Sequence, residues 1–219
     1  MEYNFKIPDG CEHPPEPLQN LGAYSLVKKH LKNNRTALDI GGHIGTMSRI
    51  FSNDFEQVHS FEPLWAEYLR ENTSDLNNVK IEPVGIGNSI KEEKMYILPR
   101  NTGGSTMVKH PGRTWISSAE EKKINIYPLD HFELENVDFI KIDVESYEYF
   151  VIDGARKTLE KNSPVIMIEF IEKYEHPEFT VNETKFLLDQ LGYISVGYVH
   201  RDWVYIKEQK NATMGLFKS

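Results

Sequence analysis

The amino-acid sequence predicts an α/β fold, in which helices cover both faces of a mostly parallel central sheet and an antiparallel strand pair closes its C-terminal part. Short, nearly continuous apolar segments alternate with segments of helical periodicity, and several of the apolar segments end at an acidic residue. A chain of 219 residues with 39% hydrophobic residues can build one sizeable core. We expect one domain at residues 36–208, an N-terminal extension with a first helix at residues 1–35, and a loose tail at residues 209–219.

Composition and charge disfavour several classes of protein and partner. Cys11 is the single cysteine and the first ten residues lack a signal-peptide pattern, so we expect a cytoplasmic protein without internal disulfides. No apolar run approaches the ~20 residues of a membrane span. The net charge of −8 disfavours nucleic acid, because binding to phosphate backbones uses clustered Lys and Arg. The oligomeric state is left open.

The first half of the chain predicts three strands and three helices. Prolines predict an extended start over residues 1–17, and apolar residues at helical spacing predict a first helix over residues 18–31. The strands are predicted at residues 36–40, 58–61 and 79–84. A Gly-rich turn opens a helix that runs through residues 50 and 51, and Pro63 begins a helix that ends near residue 76.

The second half begins with residues 85–118, where five glycines and no helical periodicity predict hairpins and a long loop. Strands are then predicted at residues 124–127, 138–142 and 164–170, and helices at residues 147–159 and 182–191. Gly192 can end the last helix. Residues 193–198 and 203–206 are expected to pair as antiparallel strands around the turn at residues 200–202.

Acidic residues stand at or just past the ends of four predicted strands. They are Asp39, Glu62, Asp143 with Glu145, and Glu169. Ligands of open α/β sheets bind at the carboxyl ends of the strands, near the point where the strand order reverses. We therefore expect these acids at a ligand site; the alternative interpretation is that they only terminate strands and cap helices.

The segment LDIGGHIG, residues 38–45, has the pattern Asp-x-Gly-x-x-x-Gly at the start of a helix. Gly41 and Gly42 allow a sharp turn and close approach of a ligand, and the amides that follow can hold an anion. A dinucleotide fingerprint needs glycine where Ile40 stands, and Asp39 places a carboxylate in the path of a pyrophosphate. NAD therefore fits poorly, whereas S-adenosylmethionine, with its ammonium and sulfonium, fits a carboxylate at this place.

The same reasoning assigns the rest of the cofactor site. Glu62 can accept hydrogen bonds from both ribose hydroxyls, Pro63 and Leu64 would flank the adenine, and Gly85 and Ile86 would face it from the third strand. The expected cofactor-binding residues are Asp39, Gly41, Gly42, His43, Ile44, Gly45, Glu62, Pro63, Leu64, Gly85, Ile86 and Asp143.

Four motifs in this order resemble the FkbM-type methyltransferase family: LDIGGHIG, FEP at residues 61–63, KIDVES at residues 141–146 and VIMIEF at residues 165–170. The sequence IYPLD at residues 126–130 is also similar to the segment usual before the third motif, and the resemblance spans residues 36–170. It implies a Rossmann-like class I methyltransferase fold, S-adenosylmethionine as cofactor and, in most members, O-methylation of sugars or secondary metabolites. Ser146 replaces the usual glycine and should narrow the space beside its turn; His43 replaces a common asparagine and can touch cofactor or acceptor.

Methylation of a hydroxyl requires a base, and we predict Asp143 and Glu145 as the catalytic residues because the strand end directs them to the cleft. Alternatively, Asp143 holds the cofactor's ammonium and Glu145 lies nearer the acceptor. A purely structural interpretation has Glu145 capping the helix near residue 147 and Asp143 positioning the turn. The expected acceptor is a small molecule or a glycan.

Two further features leave alternatives open. The loop at residues 99–118 contains Arg100, Lys109, His110 and Arg113, and is either a lid for an anionic or sugar-phosphate acceptor or a solvated loop. The eight histidines lack metal-ligand spacing, so we expect no metal site, with Mg²⁺ on Asp143 and Glu169 as the alternative. The competing functions are a non-catalytic module that binds S-adenosylmethionine, an N-methyltransferase of a small amine and, least favoured, a dehydrogenase.

Overall fold

The computed structural model describes residues 5–12, 17–98 and 100–208, with the side chains of residues 17–19 excepted. The predicted loose tail at residues 209–219, Pro99 of the basic loop, and residues 1–4 and 13–16 of the extended start lie outside the described residues. Within the described part, no helix combines the length and the apolar character that crossing a bilayer requires.

The secondary structure follows the predicted alternation. The first half contains α1 (Pro17–Lys28), β1 (Thr36–Ile40), α2 (Thr46–Phe51), β2 (Gln57–Phe61), α3 (Ala66–Asn72), β3 (Val79–Glu82), β4 (Gly85–Gly87) and β5 (Lys91–Ile97). The second half contains β6 (Glu120–Pro128), β7 (Val137–Ile142), α4 (Glu148–Asp153), α5 (Arg156–Asn162), β8 (Val165–Glu169), α6 (Val181–Gln190), β9 (Tyr193–Val199) and β10 (Asp202–Lys207).

Seven strands form the central sheet in the order β3-β2-β1-β7-β8-β10-β9. All pairings are parallel except those of β10, which is antiparallel to both β8 and β9. The prediction of a mostly parallel sheet with an antiparallel C-terminal strand pair is confirmed. The strand order reverses between β1 and β7, so the carboxyl ends of these two strands mark the expected ligand site.

Alternate residues of the central strands enter cores on opposite faces of the sheet, as the two-residue period of a strand requires. Leu38 and Ile140 belong to the core beneath α4, α5 and α6, whereas Ala37 and Phe139 belong to the core beneath α1 and α2. Apolar residues on both faces explain why these strands have near-continuous apolar sequences. The predicted helices on both faces are therefore confirmed.

A second sheet of three strands, in the order β4-β6-β5, corrects part of the sequence analysis. Gly85 and Ile86 lie on β4, which pairs with β6, and not on the third strand of the central sheet. β6 also begins at Glu120 rather than at residue 124. Its first residues are charged and exposed, and two of them, Glu121 and Lys123, form ion pairs with Lys94 and Glu92 of β5, so an apolar pattern could not reveal them.

Several predicted helices have different bounds, and the first, expected over residues 18–31, ends at Lys28. The segment predicted as one helix over residues 147–159 is divided into α4 and α5 at Gly154 and Ala155. A Cβ at Gly154 would lie 1.9 Å from the carbonyl oxygen of Gly87, so the chain packs here against β4. Helix α3 begins at Ala66 and not at Pro63, and in the turn before it the amides of Leu64 and Trp65 donate to the side chain of Glu62.

Candidate functional site

A cleft opens at the carboxyl ends of β1, β2 and β7 and encloses about 950 Å³, its open mouth included. The predicted site residues that line it are Asp39, Gly41, Gly42, His43, Glu62, Pro63, Gly85, Ile86, Asp143 and Glu145. Three expected residues, Ile44, Gly45 and Leu64, are not among the lining residues. Ile44 is buried, Gly45 precedes α2, and Leu64 joins a small core with Ile97 and Ile124.

The turn after β1 needs its glycines for packing as well as for ligand approach. Gly41 has φ 84°, and a Cβ there would lie 1.9 Å from the carbonyl oxygen of Asp143. A Cβ at Gly42 would lie 2.1 Å from Oγ of Ser60. The turn is therefore in direct backbone contact with the end of β7, which brings the two motifs around one cleft.

Glu62 joins the turns that follow β1 and β2. Its buried carboxylate accepts hydrogen bonds from the backbone amides of His43 at 2.9 Å, Leu64 at 2.7 Å and Trp65 at 3.0 Å. Burial raises the pKa of Glu62 to about 7, although these three hydrogen bonds oppose the rise. Carboxylate oxygens have further lone pairs, so this fixed group can still accept hydrogen bonds from a ligand.

A buried lysine, which the sequence analysis overlooked, lies between two of the predicted acids. Nζ of Lys141 lies 3.0 Å from Oδ2 of Asp143 and 3.8 Å from Oδ1 of Asp39. Burial lowers the pKa of Lys141, but the two carboxylates more than offset this, so the pKa is raised. The available signal was a lysine inside the apolar strand FIKI, in register with Asp39 of β1.

Asp39 is fully buried at the bottom of the cleft. Its Oδ2 accepts a hydrogen bond of 2.6 Å from Ser48, whereas Oδ1 has no hydrogen-bond partner in the described part of the chain. Burial raises the pKa of Asp39, against the influence of Lys141 and Ser48. The free lone pairs of Oδ1 make it a ready acceptor for a cationic or donor group of a ligand.

Asp143 and Glu169 form a close pair of carboxyl groups. Burial raises the pKa of Asp143, but Lys141 and a hydrogen bond with Glu169 outweigh it, and the net pKa is lowered. Burial and the charge of Asp143 raise the pKa of Glu169, so Glu169 carries the proton of this pair. Oxygens of Asp143, Glu145 and Glu169 lie within 4.8 Å of one another, but Lys141 and Arg113 already bind two of the three.

Glu145 is bound by a cation from the basic loop. Nη2 of Arg113 donates to Oε2 of Glu145 at 2.8 Å, and the Arg113 side chain is 3% exposed. Burial raises the pKa of Glu145 to about 7, with Arg113 opposing the rise. The N-cap residue of α4 is Tyr147, and no side-chain hydrogen bond caps this helix, so the interpretation of Glu145 as its cap is wrong.

The turn at residues 145–146 has a left-handed backbone. Glu145 has φ 52° and Ser146 has φ 82°, a region that favours glycine. This conformation explains why the resembling family has glycine at position 146. Oγ of Ser146 lies 3.2 Å from Nη2 of Arg113 and so contributes a contact that glycine lacks.

The basic loop covers the cleft through neutral residues and not through its cations. Thr102, Gly103, Ser105 and Met107 line the cleft, and Oγ1 of Thr102 lies 2.8 Å from Nε2 of His43. Lys109 lies over the ring of Tyr96, and His110 contacts the ring of Tyr174. The side chains of Lys109 and Arg113 thus have partners within the protein.

The cleft contains buried polar atoms that have no hydrogen-bond partner among the described residues. These atoms are Oδ1 of Asp39, Nδ1 of His43, Oγ1 of Thr46 and Nε1 of Trp65, and all four residues line the cleft. Burial lowers the pKa of His43 to about 4, so its ring is neutral at pH 7. Buried polar groups are normally hydrogen-bonded, so this set fits a ligand that offers both donors and acceptors. The expected cofactor, with its ammonium, carboxylate, ribose and adenine, meets this requirement.

Comparison with known proteins gives one family and several structural neighbours. A family model described as a methyltransferase FkbM domain matches residues 39–200. Among solved structures, methyltransferase FkbM from Methylobacillus flagellatus KT superposes with a TM-score of 0.52 at 18% identity, over 79% of this chain and 43% of that one. The chain thus spans less than half the length of the Methylobacillus protein. No curated protein sequence matches the chain significantly.

Two further structures share the fold at low identity. Magnesium protoporphyrin IX methyltransferase from Synechocystis PCC 6803, solved with bound S-adenosylmethionine, has a TM-score of 0.51 at 9% identity and covers 86% of this chain and 77% of its own. An rRNA methylase from Streptococcus thermophilus has a TM-score of 0.50 at 13% identity, with coverages of 90% and 99%. These superpositions show a common fold, that of the class I methyltransferases.

Proposed function

The chain belongs to the FkbM family of S-adenosylmethionine-dependent methyltransferases, and from this membership we propose that it methylates a hydroxyl oxygen of a saccharide or another small metabolite. The observation that carries the choice of oxygen is Glu145, a carboxylate that lines the cleft and whose pKa burial raises to about 7. A hydroxyl must lose its proton as its oxygen is alkylated, and a base whose pKa lies near the working pH is best suited to take it.

The residues of the cleft fit the cofactor. When bound, S-adenosylmethionine supplies a methyl carbon activated by a sulfonium. Oδ1 of Asp39 offers the ammonium a buried acceptor, and Glu62 offers acceptor oxygens to the ribose hydroxyls. Ile86, Met95 and Met107 supply apolar surface for the adenine. We therefore assign cofactor binding to the lining residues and not to Ile44 or Leu64.

The two candidate catalytic acids have separate roles in this proposal. Lys141 lies 3.0 Å from Asp143 and helps to lower its pKa, so Asp143 is a weak base and a good partner for a cationic group. Glu145 has the opposite shift and takes the hydroxyl proton on its carboxylate. The loop residues Thr102 and Met107 cover the cleft and exclude water, which strengthens electrostatic interactions inside it.

The acceptor of this proposal is a small molecule or a glycan. Clustered basic residues favour binding to a phosphate backbone, and the net charge of −8 together with the internal partners of Arg113 and Lys109 gives the cleft little to offer one. We also place the reaction in the cytoplasm, since a chain with a single cysteine suits a reducing compartment.

Calorimetric titration of S-adenosylmethionine and S-adenosylhomocysteine tests the cofactor site first. We expect micromolar binding, about −8 kcal/mol, and a loss of at least about tenfold in Glu62→Gln, because the amide cannot accept from all three backbone donors and the ribose together. Glu82→Gln is the matched control, since Glu82 ends the neighbouring strand β3 and does not line the cleft. If the wild-type chain binds neither compound, the proposed function is wrong.

A panel of matched hydroxyl and amino compounds then tests the acceptor atom. Each saccharide is paired with its amino-deoxy counterpart, and the release of S-adenosylhomocysteine is measured. We expect turnover with hydroxyl compounds and none with the amines. Turnover confined to the amines would support the N-methyltransferase alternative, and cofactor binding without turnover on the panel would support the non-catalytic module.

A further inference from the structure

Residues 102–113, here called the cover segment, contact the turn after β1 and the turn after β7, which both border the cleft. At one end, Thr102 contacts His43 of the turn after β1. In the middle, Oγ1 of Thr106 donates a hydrogen bond of 2.7 Å to the backbone carbonyl of Glu145. At the other end, Arg113 binds the carboxylate of the same residue. One segment therefore covers the cleft and also binds Glu145, the residue to which we assign proton removal.

Arg113 is built into the protein interior and does not belong to the ligand surface. Its side chain is 3% exposed, its guanidinium lies 4.9 Å from the centre of the Tyr174 ring, and it is not among the residues that line the cleft. Nη2 contacts both Glu145 and Ser146, the two residues with left-handed backbone. A planar guanidinium can hold two such partners at fixed angles, which a flexible ammonium does less well.

The charged groups around Glu145 make the contact with Arg113 decisive for whether the Glu145 carboxyl group is ionised. Carboxyl groups face it from three elements: Asp143 at the end of β7, whose pKa is lowered, and Glu169 at the end of β8 and Glu148 of α4, whose pKa values are raised by burial. Positive groups face it from two: Arg113 of the cover segment and Arg201 of the turn between β9 and β10. Arg113 is the one in direct contact, so its removal leaves Glu145 buried beside the charge of Asp143 without its nearest cation.

We infer that Arg113 is a positioning residue, which orients the carboxylate of Glu145 and keeps it ionised in the closed cleft while anchoring the cover segment. This inference rests on the proposed function, because it concerns the group that takes the acceptor's proton. Arg113 acts through Glu145 and touches neither cofactor nor acceptor. The role of the basic loop then differs from both alternatives that the sequence left open, an anion-binding lid and a solvated loop.

The experiment compares the affinities for S-adenosylmethionine, which carries a positive sulfonium, and S-adenosylhomocysteine, whose sulfur is neutral. An ionised Glu145 in the cleft favours the first compound, so the affinity ratio measured from pH 5.5 to 9 reports its protonation. The variants are Arg113→Gln, Arg113→Lys, Glu145→Gln and the control Arg100→Gln. Arg100 belongs to the same loop, and its side chain is 77% exposed.

We expect the wild-type ratio to change about fivefold or more with a midpoint near pH 7, and Glu145→Gln to abolish that step. In Arg113→Gln the midpoint should rise by about one pH unit or more, because the lost cation had favoured the ionised carboxylate. Arg113→Lys should shift it less, and Arg100→Gln should leave it unchanged. With an acceptor from the panel, Arg113→Gln should lower kcat near pH 7, and this loss should become smaller toward pH 9 as Glu145 ionises.

Folded Arg113→Gln that binds S-adenosylhomocysteine normally and keeps the wild-type midpoint would overturn the inference and leave the proposed function intact. If Arg113→Gln does not fold, Arg113→Lys decides, since the flexible ammonium keeps the charge but not the fixed geometry of the guanidinium; a wild-type midpoint together with a wild-type kcat in Arg113→Lys would then overturn the inference. Failure of the wild-type chain to bind either compound would remove the proposed function and this inference together.

Discussion

Nζ of Lys141 lies 3.0 Å from Oδ2 of Asp143, at the point where β1 and β7 meet beneath the cleft. A buried ammonium is costly to desolvate unless it is paired, and here the second carboxylate, Asp39, lies at 3.8 Å. The lysine therefore links the predicted acids of two motifs electrostatically and keeps Asp143 ionised.

Replacing this lysine should destabilise the fold. Lys141→Met leaves two carboxylates without their cation, and we expect a loss of about 3–5 kcal/mol in the free energy of unfolding at pH 7, measured by urea denaturation. Lys80→Met should cost less than about 0.5 kcal/mol, because Lys80 is 62% exposed. A Lys141→Met chain as stable as wild type would show that the pair contributes nothing.

The pH dependence of that loss follows from the direction of both shifts. The pKa of Asp143 is lowered from 3.8, so its contribution is present above 3.8 and disappears as the pH falls through its folded-state pKa. The pKa of Lys141 is raised from 10.5, so its contribution is complete below 10.5 and disappears as the pH rises further. The stability difference between wild type and Lys141→Met should therefore be largest between these values and shrink in acid.

A substitution at Gly41 tests the contact between the motifs LDIGGHIG and KIDVES. Gly41→Ala places a Cβ 1.9 Å from the Asp143 carbonyl oxygen at φ 84°, and should cost about 3 kcal/mol or more from overlap and backbone strain. Gly10→Ala is the control, because Gly10 has a similar φ of 76° with nothing within 4 Å of the added Cβ, and should cost about 1 kcal/mol. Thermal unfolding of both variants measures the difference; equal losses would mean that backbone strain alone matters at Gly41.

At position 146, glycine should give a more stable protein than alanine, which is the reverse of their usual order. Ser146→Ala keeps the strained φ of 82° and loses the contact with Arg113, so we expect a loss of about 1 kcal/mol. Ser146→Gly loses the same contact but relieves the strain, and should lie within about 0.5 kcal/mol of wild type. Chemical denaturation of the two variants checks this order, and a less stable glycine variant would contradict the strain argument.

The rate of methyl transfer should depend on the ionisation of Glu145. Since burial raises its pKa to about 7, the rate should fall as the pH drops below about 7. Glu145→Gln should lower kcat about 10²–10⁴-fold and remove this acidic limb. Release of S-adenosylhomocysteine at saturating substrate, from pH 5 to 9, is the measurement. A Glu145→Gln chain that keeps the limb would assign it to another group.

Much of the fold could be predicted because its signals are local. The bounds of β1 agree with the prediction residue for residue, since an apolar run of this length between turn residues favours a buried strand over a helix. The division of the helix at Gly154 could not be predicted in this way. It depends on contact with Gly87, which lies far away in the sequence.

The residues of the candidate site could likewise be predicted only in part. Asp39, Glu62 and Asp143 could be found because each lies at the end of a strand or directly after it, and parallel strands end at one edge of the sheet. Ile44 and Leu64 stand beside such residues in the sequence but are turned into the core. Their placement depends on the path of each turn, which neighbouring residue types do not specify.

The sequence by itself determined the strands, the acids at their ends and the family, because these depend on residue type and on spacing over a few positions. Only the tertiary structure decided the charge of the site. Arg113 is separated from Glu145 by 32 positions, and the loop that carries it has no periodicity to predict its path. The burial and neighbouring charges that set a carboxylate's pKa are properties of the packed chain, so the different roles of Asp143 and Glu145 could be proposed only after folding had brought their partners together.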